Sequence, residues 1–157
     1  KSRSFSRFPM IDGVILKGLK SHYDDRGFFK EIFRFPEEFP GFPVGQLSHS
    51  LVNQGVIKAW HGHKKQAQWN YLILGRIRVA LHDSRQSSRS FGMTMEFELD
   101  SKPGEKAYFF PPGVLHGYKC LEGPMHIIYL TSGIYDPQED EVRVPHDTET
   151  IVYHWEK

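Results

Sequence analysis

The sequence predicts an all-β fold, a sandwich or barrel of short strands, and three observations carry that prediction. From Gly45 onward, apolar runs are broken by turn chemistry about every eight to twelve residues, the rhythm of such folds. Before that, Asp24-Asp25-Arg26-Gly27 gives a turn that leads into Phe28-Phe29-Lys30-Glu31-Ile32-Phe33, whose aromatic and β-branched content suits a strand. Between the two regions, residues 36–43 hold three prolines and cannot form a long helix, since proline has no amide to donate. At 157 residues, one domain over 1–157 is expected, large enough to bury roughly two-thirds of the surface its unfolded chain exposes.

In chain order, residues 1–7 are basic and serine-rich, and residues 1–10 read as a mobile arm or a swapped edge strand. A β-like pattern starts at residues 14–19, and one helical turn is expected at Glu37-Glu38-Phe39. The strand-like runs are then 44–50, 55–61, 69–74, 76–82, 93–99, 106–110, 116–120 and 126–131. Residues 84–90, 100–104 and 122–124 have the polar, Gly and Pro composition of connections. The tail over 136–145 reads as an acidic loop, and residues 150–155 as a closing strand.

Bulk properties exclude several functions. The net charge is +1 and no Lys/Arg run exceeds two residues, which argues against a broad nucleic-acid footprint but leaves room for an anionic small molecule. The single cysteine, Cys120, rules out an intrachain disulfide, fits a reducing cytoplasm and is read as inert packing. No apolar run approaches the ~18 residues of a membrane span, and residues 5–16 are interrupted by Arg7, Pro9 and Asp12.

The chemistry concentrates in residues 55–75. If the segment around Lys58 to His63 is extended, His61 and His63 share a face, because side chains alternate along a strand. A third histidine, His116, follows the Pro/Gly corner of Phe110-Pro111-Pro112-Gly113. The spacings G-x5-H-x-H-x4-Q-x6-G and P-x-G-x2-H resemble the two signature motifs of the cupin barrel, a double-stranded β-helix or jelly roll. That signature usually has Glu at Gln68 and Asn at Cys120. More specifically, Asp25 to Glu31, residues 56–61, Phe110 to Tyr118, Tyr129 and Ile151-x-Tyr153-x-Trp155 resemble the dTDP-4-dehydrorhamnose 3,5-epimerase family over about residues 11–155.

That resemblance implies an isomerase acting on a nucleoside-diphosphate 4-keto-6-deoxy sugar. A proton beside a ketone must be taken by a base whose pKa lies near operating pH, a task that suits histidine. By resemblance His61 is that base, Tyr129 the acid on the opposite ring face, and Tyr135 the alternative acid or a substrate contact. Arg26, Glu31, Gln46, Lys58, Gln68 and His116 are the implied substrate contacts, and an Arg there suits a diphosphate. No cofactor is implied, because the substrate's ketone acidifies its neighbours, and a homodimer exchanging N-terminal strands is expected. The aromatic content, 14%, agrees with an interface.

The chain also departs from the family. Gln68 stands where the family places a lysine on the developing enolate oxygen, so Lys64 or Lys65 would have to compensate. The aspartate that orients the family's base lies beyond the final Trp motif, past Lys157, which leaves Asp83 or Asp147 as substitutes. Leu47 and Ser48 replace an Asp-Asn pair, and His63 has no counterpart. His61, His63, Gln68 and His116 occupy the positions at which metal-binding cupins hold a divalent first-row ion, so a metal-dependent cupin is the alternative. A non-catalytic module that binds a sugar nucleotide is the third reading.

Overall fold

A computed structural model describes residues 10–157, so the arm expected over residues 1–10 lies outside the described residues except for Met10. Those residues form ten strands and no α-helix: β1 Ile15–Gly18, β2 Ser21–Asp24, β3 Gly27–Lys30, β4 Gln46–Val52, β5 Ile57–His63, β6 Gln68–Asp83, β7 Thr94–Asp100, β8 Lys106–Phe110, β9 Val114–Thr131 and β10 Glu141–Arg143. All but β2 and β3 belong to one sheet of antiparallel pairs, with β1-β8-β6-β9-β5-β10 as its main path, β4 on β9 and β7 on β6.

Two long strands organise that sheet. β6 and β9 run antiparallel along most of their lengths; β6 pairs with β8 near its start and with β7 near its end, while β9 pairs with β5 in its first half and with β4 in its second. Residues 69–74 and 76–82 are therefore one strand rather than two, as are 116–120 and 126–131. Turn-forming residues mark bends within these strands: the β6–β9 register shifts between Leu72 and Ile77, where Gly75 has φ +97°. Hydrogen bonding to the partner survives on either side of the bend, which local composition does not reveal.

Inside, Ile77, Val79, Leu81, Tyr108, Phe110, Met125 and Ile127 pack as the main core, joined by Cys120. The Cys120 thiol is fully buried and its pKa is raised by burial, as inert packing requires. A second cluster gathers Trp60, Ala80, Leu115, Ile151 and Trp155. Residues 150–155 thus pack as expected but form no strand. The reason is that β10 already occupies the edge of β5, through Glu141↔His63, Val142↔Gly62 and Arg143↔His61. The expected helical turn is only the Glu38 amide donating to the Arg34 carbonyl at 3.2 Å, with Phe39 buried beneath it against Trp69 and Phe109. β2 and β3 form a separate two-stranded ribbon that exposes Tyr23 (69%), Phe28 (59%) and Phe29 (68%).

Candidate active site

A cavity of about 270 Å³ opens among β4, β5, β6, β9 and β10. Its wall includes Lys58, His61 and His63 from β5, Gln68 and Asn70 from β6, His116 and Tyr129 from β9, Gln46 from β4, and Tyr135, Glu141 and Arg143 around β10. Lys58 and His61 lie three apart and would face opposite ways in a regular strand. They share the wall because the β5–β9 register shifts between them. Within β9, His116 and Tyr129 differ in parity, and the bend between its halves brings both inward.

His61 is half-buried and its pKa is lowered. Burial is the main cause, the cation of Arg143 the next; Glu141 opposes them, and Lys58 and His63 add to the lowering. His116 is buried, packs on Phe110 with ring centroids 4.6 Å apart, and is held far below the ordinary histidine value by burial, then by His61 and His63. Its Nδ1 has no partner. Both rings are neutral at neutral pH, so each can accept a proton or a hydrogen bond.

Among the described residues no carboxylate bonds to His61. Neither expected substitute serves: Asp83 is fully buried and holds Arg85 at 2.8 and 2.9 Å and Ser88 and Ser90 at 2.6 Å, while Asp147 is exposed in the tail. The wall's own carboxylate, Glu141, pairs with Arg143, and the buried Asp140 serves His63: Asp140 Oδ2 lies 2.8 Å from His63 Nδ1. On its other side, His63 Nε2 lies 3.1 Å from Gln68 Oε1. Lys64 and Lys65 are exposed and absent from the wall, so neither supplies the charge that Gln68 lacks.

The metal reading needs His61, His63, His116 and Gln68 to converge. All four line the cavity, with His63 Nδ1 held by Asp140, but no three His, Cys, Asp or Glu side chains among the described residues are grouped as ligands.

Arg26 and Glu31 lie outside the cavity of their own chain. Arg26, at the tip of the exposed β2–β3 ribbon, pairs with Asp24 at 2.5 Å, and Glu31 pairs with Arg34 at 3.0 Å. Conversely, Asp140, Glu141 and Arg143 escaped a reading of the tail as loop. The alternation Glu141-Val142-Arg143-Val144 was the available strand signal.

The sequence model of the dTDP-4-dehydrorhamnose 3,5-epimerase family matches residues 9–157. The chain belongs to that family of sugar-nucleotide epimerases. It is 43% identical over 148 residues to the spore coat polysaccharide biosynthesis protein SpsL of Bacillus subtilis, covering 93% of this chain and 97% of that protein. It is also 28% identical over 151 residues to a probable low-salt glycan biosynthesis epimerase of Haloferax volcanii, covering 94% and 96%. Its fold superposes on the epimerase of Mycobacterium tuberculosis with a TM-score of 0.85 at 25% identity, over 95% of this chain and 77% of that one. The protein is thus an isomerase of the cupin barrel fold.

Proposed function

We propose that this epimerase inverts one or two centres beside the ketone of a nucleoside-diphosphate 4-keto-6-deoxy sugar, by 3- or 3,5-epimerisation. His61 takes the proton, the electron pair moves to the ketone oxygen as an enolate, and the Tyr129 hydroxyl returns a proton to the carbon from the other face. One observation carries the reading. His61 and Tyr129 enter one cavity from parts of the sheet that do not pair with each other: His61 is opposite His116 and Arg143, Tyr129 opposite Ser48 and Asn70. Inversion needs that separation, since one group cannot easily serve both faces.

Lys58 and Arg143 are the cations of the cavity wall and suit the diphosphate, with Arg143 steadied by Glu141 at 2.8 Å. Gln46, whose Oε1 accepts from the Tyr135 amide at 2.9 Å, holds the loop that presents Tyr135 to the sugar. His116 supplies a neutral polar wall. No step needs a cofactor. We further infer a homodimer. A two-stranded ribbon is marginal by itself, and a second copy would cover the exposed aromatics of β2–β3 while bringing Arg26 and Glu31 toward a cavity they do not reach alone. The buried thiol is compatible with a cytoplasmic setting. No helix among the described residues is long and apolar enough to cross a membrane.

The test is incubation with a dTDP-4-keto-6-deoxyhexose in deuterium oxide. Deuterium at C3, with or without C5, is expected; no exchange across a panel of 4-keto sugar nucleotides would refute the reaction.

A further inference from the structure

The polar groups around the cavity divide into two sets. In one set each group answers another: the ends of the Gln68 amide lie 3.1 Å from His63 and 2.7 Å from Asn70, and Glu141 accepts from Tyr135 at 3.3 Å and from Arg143 at 2.9 Å. Turning the Gln68 amide over exchanges its ends and leaves both engaged. In the other set Lys58, His61, Tyr118 and Tyr129 line the cavity with no hydrogen-bond or ion-pair partner for their side chains among the described residues. A substrate's polar atoms meet their partners in that second set.

Tyr118 is the most deeply placed of the four. Its ring belongs to the main core, and only 7% of the residue is exposed. Tyr108 in the same core has its hydroxyl sealed away without a partner, whereas the hydroxyl of Tyr118 is not sealed in, and the space it opens on is the cavity. A phenol this deep ordinarily finds a protein partner, because a buried donor left unmade is costly. One that faces a cavity unpaired is held ready for a ligand.

The ladder sets Tyr118 beside the base. It pairs with Lys58, while His116, two residues earlier on the same face of β9, pairs with His61. Tyr118 is thus the diagonal neighbour of His61, a spacing of about 7–8 Å between strands that long side chains can close. Gly117, between His116 and Tyr118, faces the other way, where a Cβ would run into Ala59 and Trp155, so its lack of a side chain lets β5 and β9 approach closely here. In a 4-keto sugar the ketone carbon is bonded to the carbon that loses its proton. The group that receives the oxyanion must therefore be a near neighbour of the group that takes the proton. Tyr129, on the other half of β9, lies opposite Ser48 and Asn70 instead.

We propose that Tyr118 is a further catalytic residue, whose phenol hydroxyl donates a hydrogen bond to the ketone oxygen as the enolate forms. This deepens the epimerase reading and rests on it. His61 takes the C3 proton, the C–H electron pair becomes the C3–C4 double bond, and the carbonyl pair moves to the oxygen. Tyr118 keeps its proton throughout, as a phenol with an ordinary pKa of about 10 does at neutral pH. When Tyr129 protonates C3 from the other face, the oxygen's pair re-forms the carbonyl and the bond to Tyr118 weakens again. A hydroxyl fixed by a packed ring is already aimed when charge develops, which is what makes an oxyanion donor effective.

Tyr118→Phe removes one oxygen and keeps the ring in the core. With a dTDP-4-keto-6-deoxyhexose in deuterium oxide, kcat for exchange at C3 and for inversion should fall together, on the order of 10² to 10³ fold, with KM little changed. Joint loss separates this role from that of Tyr129, whose removal is expected to spare exchange. Exchange at the wild-type rate in Tyr118→Phe overturns the proposal, as does a raised KM at unchanged kcat, the mark of a ground-state sugar contact. Denaturant unfolding gives a second reading. A hydroxyl without a protein partner holds nothing in the fold, so Tyr118→Phe should unfold at no lower denaturant concentration than wild type; a clear loss of stability means that the hydroxyl serves the protein, and overturns the proposal. A wild-type chain that exchanges no substrate proton overturns the epimerase reading and this role with it, whereas an active wild type matched by Tyr118→Phe defeats the present inference alone.

Discussion

On the proposed reaction His61, as base, must stay unprotonated beside the cations proposed to bind the diphosphate, and its surroundings favour this. Burial and the Arg143 cation both disfavour its charged form, so the free base persists below the ordinary histidine pKa of about 6.5. A lowered pKa means that activity is lost only at more acidic pH. The acid limb of kcat/KM for the free enzyme should therefore lie below 6.5, and Arg143→Gln should move it upward by removing the second-largest cause. A limb unmoved in that variant would deny the coupling. At this scale much of the site was legible. Gln46, Lys58, His61, Gln68, His116, Tyr129 and Tyr135 all line the cavity, the first six from strands and Tyr135 from the loop after β9. Asp140 was not, since its role depends on a pairing of β10 with β5 across some eighty residues, which no local pattern encodes.

Strands deliver these residues, and the bends in β6 and β9 decide which face each half presents. Gly75 is central to the bend. It has φ +97°, and a Cβ there would stand 2.6 Å from the Glu122 carbonyl oxygen and 2.8 Å from Met125 Cβ. Gly75→Ala should destabilise the fold by at least about 1–3 kcal/mol from backbone strain, with the steric clash added to it. Denaturant unfolding measures this, and a loss under about 0.5 kcal/mol, the range of ordinary surface changes, would contradict the account of the bend. The strands of the barrel were legible through their composition, but their continuity was not. Gly75 and Gly123-Pro124 read locally as turns, whereas the partner strand carries the ladder past them. The closing strand over 150–155 failed for a related reason: an apolar alternation shows which side chains want burial, not whether a sheet edge is free to receive them.

At the scale of the molecule, the β2–β3 ribbon exposes aromatic rings and Arg26 while Arg26 and Glu31 stay outside the cavity, and the proposed dimer would join the two. Light scattering should give twice the chain mass, and Tyr23→Ser with Phe29→Ser should shift it to one chain and lower exchange activity together; a fully active monomer would refute that arrangement. The central claim is that base and acid are separate groups on opposite ring faces, and the most direct measurement compares deuterium exchange with inversion in two variants. His61→Ala should lose deuterium uptake at C3. Tyr129→Phe should continue to exchange deuterium there while net epimerisation falls steeply. Uptake undiminished in His61→Ala, or inversion at the wild-type rate in Tyr129→Phe, would contradict it.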